Sequence, residues 1–458
     1  MRTRLLCLGA TDNTGSSSVL QVLSAALGIA LLVCLAVAPA RAADAGGRKP
    51  GRLEHDWPTF RGADRTAVSP DTGLLQAWPE GGPRVVYDIK GPGRGYSSVV
   101  VAGDRIYTLG DNLSIADDKD EYLMAFSRDE GKPLWKLKTG APWNQGQESW
   151  QSSRATPTVA GDLIYAVTAE GELVCAEAAT GGERWRTNLK SKFGGNKGDG
   201  WGYSESVLID GDRLICTPGG EKATMVALDK KTGEPIWQTS RPGDRGAGHA
   251  SAVISHIGST KVYVQVTASG PMGVRADDGK LLWTYDIDRT TAVIPTPIVR
   301  DDLVFFTAGY GRGGALLKQV PASSDEIKIE EVYPLKKELG SKHGGVVLVG
   351  DYVYGGMEDS NAIFCADLMT GEIKWKARGS GQGSAATVAA DGCLYIHYAN
   401  GTMSLVKASP EKYEELGSFL VPDVGQRPSW AHPVIAGGRL YLREQDRIIC
   451  YDLHDQGG

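Results

Sequence analysis

A short phrase that joins a polar turn to a tryptophan recurs along the chain. In its fullest form, over residues 227–237, it reads Ala-x-Asp-x-x-Thr-Gly-x-x-x-Trp, and related forms run over 176–185 and 366–375. The Gly-x-x-x-Trp spacing occurs at Gly131/Trp135, Gly181/Trp185, Gly233/Trp237, Gly279/Trp283 and Gly371/Trp375. The Thr-Gly segment can turn the chain because glycine adopts positive φ, and the returning strand carries a large aromatic ring. The phrase therefore predicts β-hairpins whose tryptophans pack between neighbouring sheets.

A second phrase precedes the first and sets the length of the repeat. It combines Gly-Asp, or a weaker form of it, with an apolar strand that commonly ends in tyrosine. Its eight copies begin at or near Gly103, Gly161, Gly211, Lys261, Asp302, Gly350, Asp391 and Gly437. The spacing averages about 48 residues, which is typical of four-stranded propeller blades. We therefore predict an all-β, eight-bladed β-propeller with four-stranded antiparallel blades.

The two ends of the chain are predicted to share one blade. The last repeat stops after residues 447–453, before any tryptophan strand, whereas residues 83–89 supply a spare strand near the N-terminus. Pairing the two would close the ring and protect both ends from fraying. The expected domain is a single propeller over residues 56–454. The alternative is that residues 53–92 form a separate cap.

Residues 1–42 are predicted to be a signal peptide. A positively charged start precedes an apolar run over 19–38, and Ala-Arg-Ala at 40–42 matches the small-x-small cleavage pattern. Residues 43–55 are then a flexible linker. The mature protein is expected to be periplasmic or secreted, with no membrane span after cleavage. The alternative is an uncleaved anchor, because about 20 apolar residues can cross a bilayer.

The charge of the chain argues against one class of partner. Acidic side chains outnumber basic ones by 55 to 49, which gives a formal net charge of −6. Nucleic-acid phosphates need a surface rich in lysine and arginine, so no nucleic-acid binding is expected. The partners that remain are a protein, a small molecule or a carbohydrate, bound by a chain that we expect to be a monomer.

The repeated phrase resembles the docking motif of the pyrroloquinoline-quinone (PQQ)-like propeller superfamily. Asp-Trp-Pro-Thr-Phe-Arg-Gly at 56–62 is also similar to the start of many exported bacterial propellers of this type. The superfamily includes the quinoprotein alcohol dehydrogenases and the non-catalytic propeller of the outer-membrane barrel-assembly machinery. The resemblance implies the fold and leaves the function to be argued from a site.

The segments just before the inner strands open onto one mouth of the central channel. Loops from every blade meet there, so their polar and aromatic side chains can converge on one ligand. The predicted ligand-binding residues are Arg154, Trp201, Tyr203, Glu205, His249, His343, Gln382, Trp430 and His432. The alternative is that these side chains plug the channel or bond neighbouring blades. The glycine-rich stretch over 194–200 is interpreted as a flexible loop over this mouth.

The resemblance to quinoprotein dehydrogenases implies a cofactor site that this sequence matches in few places. That family clamps PQQ between a tryptophan and adjacent disulfide-bonded cysteines, with a glutamate and an asparagine on Ca²⁺ and an aspartate as base. Glu205 resembles the calcium glutamate, and Trp201 or Trp430 could supply the ring. Adjacent cysteines are missing, and His249 and Pro295 stand where the asparagine and aspartate are expected. The three mouth histidines lack metal-ligand spacing. No cofactor, metal or catalytic residue is therefore assigned.

These observations favour an exported binding or scaffold protein. Its ligand would be a small molecule, a carbohydrate or a protein partner at the channel mouth. The alternative is a PQQ- and calcium-dependent alcohol or polyol dehydrogenase. A dehydrogenase predicts an open funnel with convergent carboxylates and a perturbed pKa. A scaffold predicts apolar or aromatic patches on the loops and a plugged channel.

Overall fold

A computed structural model describes residues 55–111, 120–323 and 326–455. The predicted signal peptide over 1–42 lies outside the described residues, as does the predicted linker over 43–55 except its last residue. Within the described ranges, no helix has both the length and the apolar character that crossing a membrane requires.

Eight four-stranded antiparallel sheets form the blades of a propeller, which confirms the predicted fold class. Blade 1 holds β2 (Val100–Ala102), β3 (Arg105–Asp111), β4 (Glu121–Ser127) and β5 (Pro133–Gly140). Blade 2 holds β6 (Thr158–Ala160), β7 (Leu163–Val167), β8 (Glu172–Glu177) and β9 (Glu183–Asn188). Blade 3 holds β10 (Leu208–Asp210), β11 (Arg213–Cys216), β12 (Met225–Asp229) and β13 (Pro235–Thr239). Blade 4 holds β14 (Val253–Ile257), β15 (Thr260–Thr267), β16 (Gly270–Arg275) and β17 (Leu281–Thr284).

The second half of the ring follows the same order from the inner to the outer strand. Blade 5 holds β18 (Ile298–Arg300), β19 (Leu303–Ala308), β20 (Gly313–Ser323) and β21 (Glu326–Lys336). Blade 6 holds β22 (Val346–Val349), β23 (Tyr352–Gly356), β24 (Ala362–Asp367) and β25 (Ile373–Arg378). Blade 7 holds β26 (Ala385–Ala390), β27 (Cys393–Tyr398), β28 (Thr402–Lys407) and β29 (Glu415–Leu420). Blade 8 holds β30 (Val434–Ile435), β31 (Arg439–Glu444), β32 (Arg447–Asp452) and β1 (Val85–Lys90). One short helix, α1 (Leu189–Phe193), and the 3₁₀ turns Glu148–Trp150 and Lys337–Leu339 lie between described strands.

The outer strand of blade 8 comes from the N-terminal end of the propeller. β1 pairs antiparallel with β32, and Ile89 lies opposite Ile448. This strand corresponds to the sequence predicted over 83–89. Pairing of distant chain segments within one blade leaves no gap in the ring.

The recurrent tryptophans join their blades to the next blade through a repeated contact. The indole nitrogen of Trp135 donates to the carbonyl of Ala178 at 3.1 Å, and Trp185 donates in the same way to Lys230 at 3.1 Å. Gly181 adopts a φ of +73°, and a Cβ at this position would lie 2.5 Å from the Trp135 ring. The glycine of the turn therefore leaves the space in which the tryptophan of the preceding blade packs.

A segment ahead of β1 crosses one end of the central channel, and we call residues 57–69 the floor segment. Trp57 exchanges backbone hydrogen bonds with Val101 in blade 1 at 2.8 and 3.0 Å. The Arg61 side chain donates to the carbonyl of Val346 in blade 6 at 2.7 Å. Ser69 donates to Ala389 in blade 7 at 2.8 Å. The segment is therefore tied to blades on both sides of the channel, a role that the sequence did not reveal.

Candidate functional site

A cavity of about 540 Å³ occupies the channel above the floor segment. Its aromatic lining is Phe60, Tyr96, Trp150, Trp201, Tyr310 and Trp430. Its ionisable lining is Arg61, Arg154, His249, Lys342, His343, Asp359 and His432. Hydroxyl groups come from Ser98, Thr156, Ser204, Ser206, Thr291 and Thr296. Because Phe60 and Arg61 belong to the floor segment, the cavity is a cup with one end closed.

Six of the nine predicted binding residues line this cup. They are Arg154, Trp201, His249, His343, Trp430 and His432. Tyr203 is instead buried in the core, where its hydroxyl donates to the carbonyl of Pro218 at 2.8 Å. Gln382 borders a separate surface depression. The structure thus brings together the residues from six predicted positions, and their role in binding remains a prediction.

Glu205 also lies outside the cup, and its carboxylate is occupied. The backbone nitrogen of Thr217 donates to one oxygen at 2.7 Å, while the Thr217 hydroxyl and Gln265 Nε2 donate to the other at 3.0 and 2.9 Å. Burial raises the pKa of Glu205 to about 7, although the two donors of Thr217 and the charge of Arg65 favour the charged form. Glu205 therefore stabilises the junction of blades 3 and 4.

A belt of hydroxyl groups joins neighbouring blades around the cup. In each case a backbone nitrogen donates to a hydroxyl oxygen of the next blade. Ser98 N donates to Thr156 Oγ1 at 3.1 Å, Ser206 N to Ser251 Oγ at 3.0 Å, and Ser251 N to Thr296 Oγ1 at 3.1 Å. These residues stand just before the inner strands. Buried backbone donors that would be unpaired are thereby satisfied across the blade boundaries.

Aromatic rings form much of the wall. The His343 imidazole stacks on Trp430 with centroids 4.2 Å apart and planes 20° apart, and Tyr96 packs against the same indole at 5.2 Å. On another part of the wall, Trp150 meets Trp201 edge to face at 5.8 Å. Tyr96 and Trp150 were absent from the predicted set, although both lie in or beside mouth segments. Phe60 and Arg61 lie in the stretch that resembles the start of exported propellers, but they were not predicted to line a site because the floor segment is not part of a repeat.

Two guanidinium groups give the cup positive charge, that of Arg61, which is buried, and that of Arg154, which is half-buried. Arg154 donates to the carbonyls of Ser152 and Trp150, and Arg61 donates to those of Arg65, Thr66 and Val346. Among the described residues, no carboxylate forms a salt bridge with either side chain. Burial lowers both pKa values to about 10, so both arginines remain charged at neutral pH. Lys342 is neutralised by Asp359 at the cup.

The three histidines of the cup are uncharged at neutral pH. Burial lowers the pKa of His249 to about 4, of His343 to about 3 and of His432 to about 4. Nearby cations act in the same direction, namely Lys197 on His249, Lys342 on His343 and Arg61 on His432. The imidazoles are therefore hydrogen-bonding groups at pH 7, and the arginines carry the charge.

One histidine belongs to a continuous chain of hydrogen bonds. Ser204 Oγ lies 2.5 Å from His249 Nδ1, and His249 Nε2 lies 2.9 Å from Asp199 Oδ2. Lys197 Nζ contacts the same aspartate oxygen at 2.9 Å, and the backbone nitrogen of Trp201 donates to the other at 3.0 Å. Although burial opposes it, these cationic and hydrogen-bonding neighbours hold the pKa of Asp199 well below its usual range. Sequence reasoning treated residues 194–200 as a loop and missed this arrangement.

The side chains of the cup do not fit a calcium-bound quinone. The carboxylate of Glu205 is already bonded within the protein. The described cysteines, Cys175, Cys216, Cys365, Cys393 and Cys450, are unpaired and buried in separate strands, so none supplies the adjacent pair. No cluster of three or more histidine, cysteine or acidic side chains in the described ranges could hold a metal ion.

Comparisons with known proteins point to one family. Residues 119–377 match a family model described as outer membrane protein assembly factor BamB. The protein of that name from Burkholderia pseudomallei is 23% identical over 326 residues, which cover 61% of this chain and 81% of the relative. The crystal structure of BamB from Moraxella catarrhalis superposes with a TM-score of 0.54 at 15% identity, covering 81% of this chain and 100% of that one. A quinohemoprotein alcohol dehydrogenase from Pseudomonas putida gives 0.60 at 12% identity, covering 88% and 81%. These two structural similarities show the fold alone.

Proposed function

Because this chain belongs to the PQQ-repeat family whose model is described as outer membrane protein assembly factor BamB, we propose that it acts by binding, as an exported, monomeric scaffold of the cell envelope. The ligand site in this proposal is the closed cup. Membership of the family supports a propeller that binds partners. The lack of a fit to calcium-bound quinone argues against the dehydrogenase alternative.

The described surface outside the cup shows no cluster of exposed apolar side chains. Large apolar side chains that are strongly exposed occur singly on or beside the outer strands, at Val85, Leu134, Ile236, Val332, Met369 and Leu420. Scattered apolar residues of this kind are normal on soluble proteins and do not mark a docking patch. We therefore place the proposed ligand in the cup.

The proposed ligand is a small acidic saccharide. The observation that carries this assignment is the pair of guanidinium groups of Arg61, which is buried, and Arg154, which is half-buried. Both line a cup of aromatic rings, and neither forms a salt bridge to a described carboxylate. Charged donors bind carboxylates strongly in a partly dry site. Aromatic faces match the apolar faces of sugar rings, while hydroxyls and neutral imidazoles match sugar hydroxyls. A volume of about 540 Å³ suits a ligand of one or two sugar rings.

Isothermal titration of the mature protein with acidic and neutral sugars tests this proposal. We expect digalacturonate to bind more tightly than galactobiose, because only the former offers carboxylates to Arg154 and Arg61. Arg154→Ala should weaken digalacturonate binding by about 10- to 100-fold, since a hydrogen bond to a charged group contributes about 1.5–3 kcal/mol.

Gln382→Ala is the matched control, because this predicted binding residue lies outside the cup. Its affinity should equal that of the wild type. The proposal would be contradicted by equal binding of acidic and neutral sugars, by no binding of either, or by an unchanged affinity in Arg154→Ala.

A further inference from the structure

The wall of the cup contains a serine, a histidine and an aspartate joined in series. Ser204 and His249 line the cavity, and the distances along the series are 2.5 Å from Ser204 Oγ to His249 Nδ1 and 2.9 Å from His249 Nε2 to Asp199 Oδ2. Ser204 is partly exposed to the cavity, whereas Asp199 is 4% exposed and lies behind the imidazole. A ligand in the cup can therefore reach the hydroxyl without reaching the carboxylate.

The contacts determine where the protons lie. Asp199 is ionised, because Lys197 and Trp201 N also donate to its carboxylate. His249 Nε2 must then carry a hydrogen in order to donate to it. Since His249 is neutral at pH 7, its Nδ1 bears a lone pair and accepts the hydrogen of Ser204. This is the protonation pattern of an activated serine, with the roles of the two ring nitrogens exchanged relative to the familiar triad.

We propose that Ser204 is a nucleophile that cleaves small carboxylic esters bound in the cup, with His249 as its general base and Asp199 as the positioning residue. In the first step, Ser204 Oγ bonds to the ester carbonyl carbon while its proton moves to His249 Nδ1. The carbon–oxygen bond to the alcohol then breaks, and the leaving alkoxide takes that proton. In the second step, water attacks the acyl-serine, its proton passes through His249, and Ser204 is regenerated with release of the carboxylic acid.

Arg154, which also lines the cup, is a group that can stabilise the developing oxyanion. Its Nε and Nη2 are bonded to the carbonyls of Ser152 and Trp150, while Nη1 has no partner among the described hydrogen bonds. Its charge acts electrostatically on both His249 and Asp199, and it lines the same cavity as Ser204. A preorganised donor of this kind is the usual complement to an activated nucleophile.

The test uses the mature protein, a fluorophosphonate probe and 4-nitrophenyl acetate. We expect one phosphonyl adduct per chain, located on Ser204 by peptide mass spectrometry, and release of 4-nitrophenol that Ser204→Ala abolishes. His249→Gln should slow labelling by at least ~100-fold, since a positioned base contributes that much to proton transfer. Asp199→Asn should slow it by at least ~10-fold through loss of the imidazole orientation. Ser191→Ala removes an exposed hydroxyl on α1 and should behave as wild type.

The pH dependence separates a catalytic base from a structural hydrogen bond. Lys197, Asp199, Arg154 and His343 surround His249 electrostatically, and the balance keeps its imidazole neutral down to about pH 4. The labelling rate should therefore stay level from pH 8 to about pH 5 and fall as the pH approaches 4. Four results would overturn the proposal: no adduct, an adduct on another residue, ester cleavage that survives Ser204→Ala, or equal labelling of the wild type and His249→Gln. This test is independent of the saccharide proposal, because its two probes carry no sugar.

Discussion

Burial controls the charge of individual side chains around the cup, and the sign differs between acids and bases. His249, His343 and His432 have folded pKa values below the ordinary value of 6.5. Their contribution to stability is present above pH 6.5 and is lost as the pH falls through the folded values. Glu205 shows the opposite behaviour, because burial raises its pKa from 4.5 to about 7. Each residue therefore has a pH window of its own.

The contribution of Glu205 to the pH dependence of stability can be isolated with Glu205→Gln, because a glutamine side chain does not titrate. The stabilisation from neutral Glu205 is complete below about pH 4.5 and is lost as the pH rises toward 7, because the unfolded chain ionises first. The free energy of unfolding of the wild type, minus that of the variant, should fall by about 3 kcal/mol between pH 4.5 and 7.5. Urea denaturation at several pH values measures this difference. A difference that does not change with pH would contradict the prediction.

At the scale of the strand and hairpin, a glycine in one blade and a tryptophan in the preceding blade form the joint. The same arrangement occurs at Gly233 with Trp185 and at Gly279 with Trp237, where an added Cβ would lie 2.7 and 2.6 Å from the indole. Positive φ explains part of the need for glycine at these turns. The close approach of the ring explains the rest, because a methyl group would push neighbouring blades apart.

Gly181→Ala and Gly161→Ala separate these two causes within blade 2. Both glycines have positive φ, +73° and +64°, but Gly161 has open space where Gly181 meets Trp135. We expect Gly161→Ala to cost about 1 kcal/mol through backbone strain alone. Gly181→Ala should cost about 1–3 kcal/mol more, because overpacking displaces the indole. Thermal and urea unfolding give the comparison, and equal losses in the two variants would show that ring contact contributes nothing.

At the scale of the whole molecule, the floor segment links blades that are distant along the chain. Arg65 is 5% exposed, and it donates to the carbonyls of Ser206 at 2.9 Å and Ala252 at 3.0 Å, as well as to Val207. These acceptors belong to the inner ends of blades 3 and 4. Together with the Arg61 contact to blade 6, they make the segment both the bottom of the cup and a tie across the ring.

Arg65→Ala should therefore destabilise the propeller far more than removal of a surface arginine. We expect a loss of about 3 kcal/mol in the free energy of unfolding, because buried carbonyls lose a charged donor. Arg84→Ala is the matched control. Its side chain is 70% exposed in an ion pair with Asp452, and such pairs contribute at most about 1 kcal/mol. Denaturant unfolding of both variants tests the prediction, and similar losses would argue against a role of the floor segment in holding the ring together.

The candidate site was predictable only in part, for a reason that particular residues make clear. Arg154, His343 and Trp430 could be found because they stand at equivalent places before inner strands, where repeat geometry implies a common mouth. Tyr203 stands in the same mouth segment as Trp201, yet it is buried in the core. Side-chain direction within a mouth segment depends on packing with the next blade, which the repeat phrase does not encode.

The sequence by itself determined the blade, the number of blades and the tryptophan joint between several of them. Both phrases are local: the strand phrase recurs eight times and the hairpin phrase five times. The tertiary structure decided what the ring encloses. Asp199 comes to His249 from a glycine-rich loop, and Arg61 comes to Val346 across 285 positions of the chain. A short-range sequence pattern cannot predict these two contacts. They depend on where closure of the ring places segments that do not repeat. The closed cup and its serine–histidine–aspartate series therefore became visible only in the folded molecule.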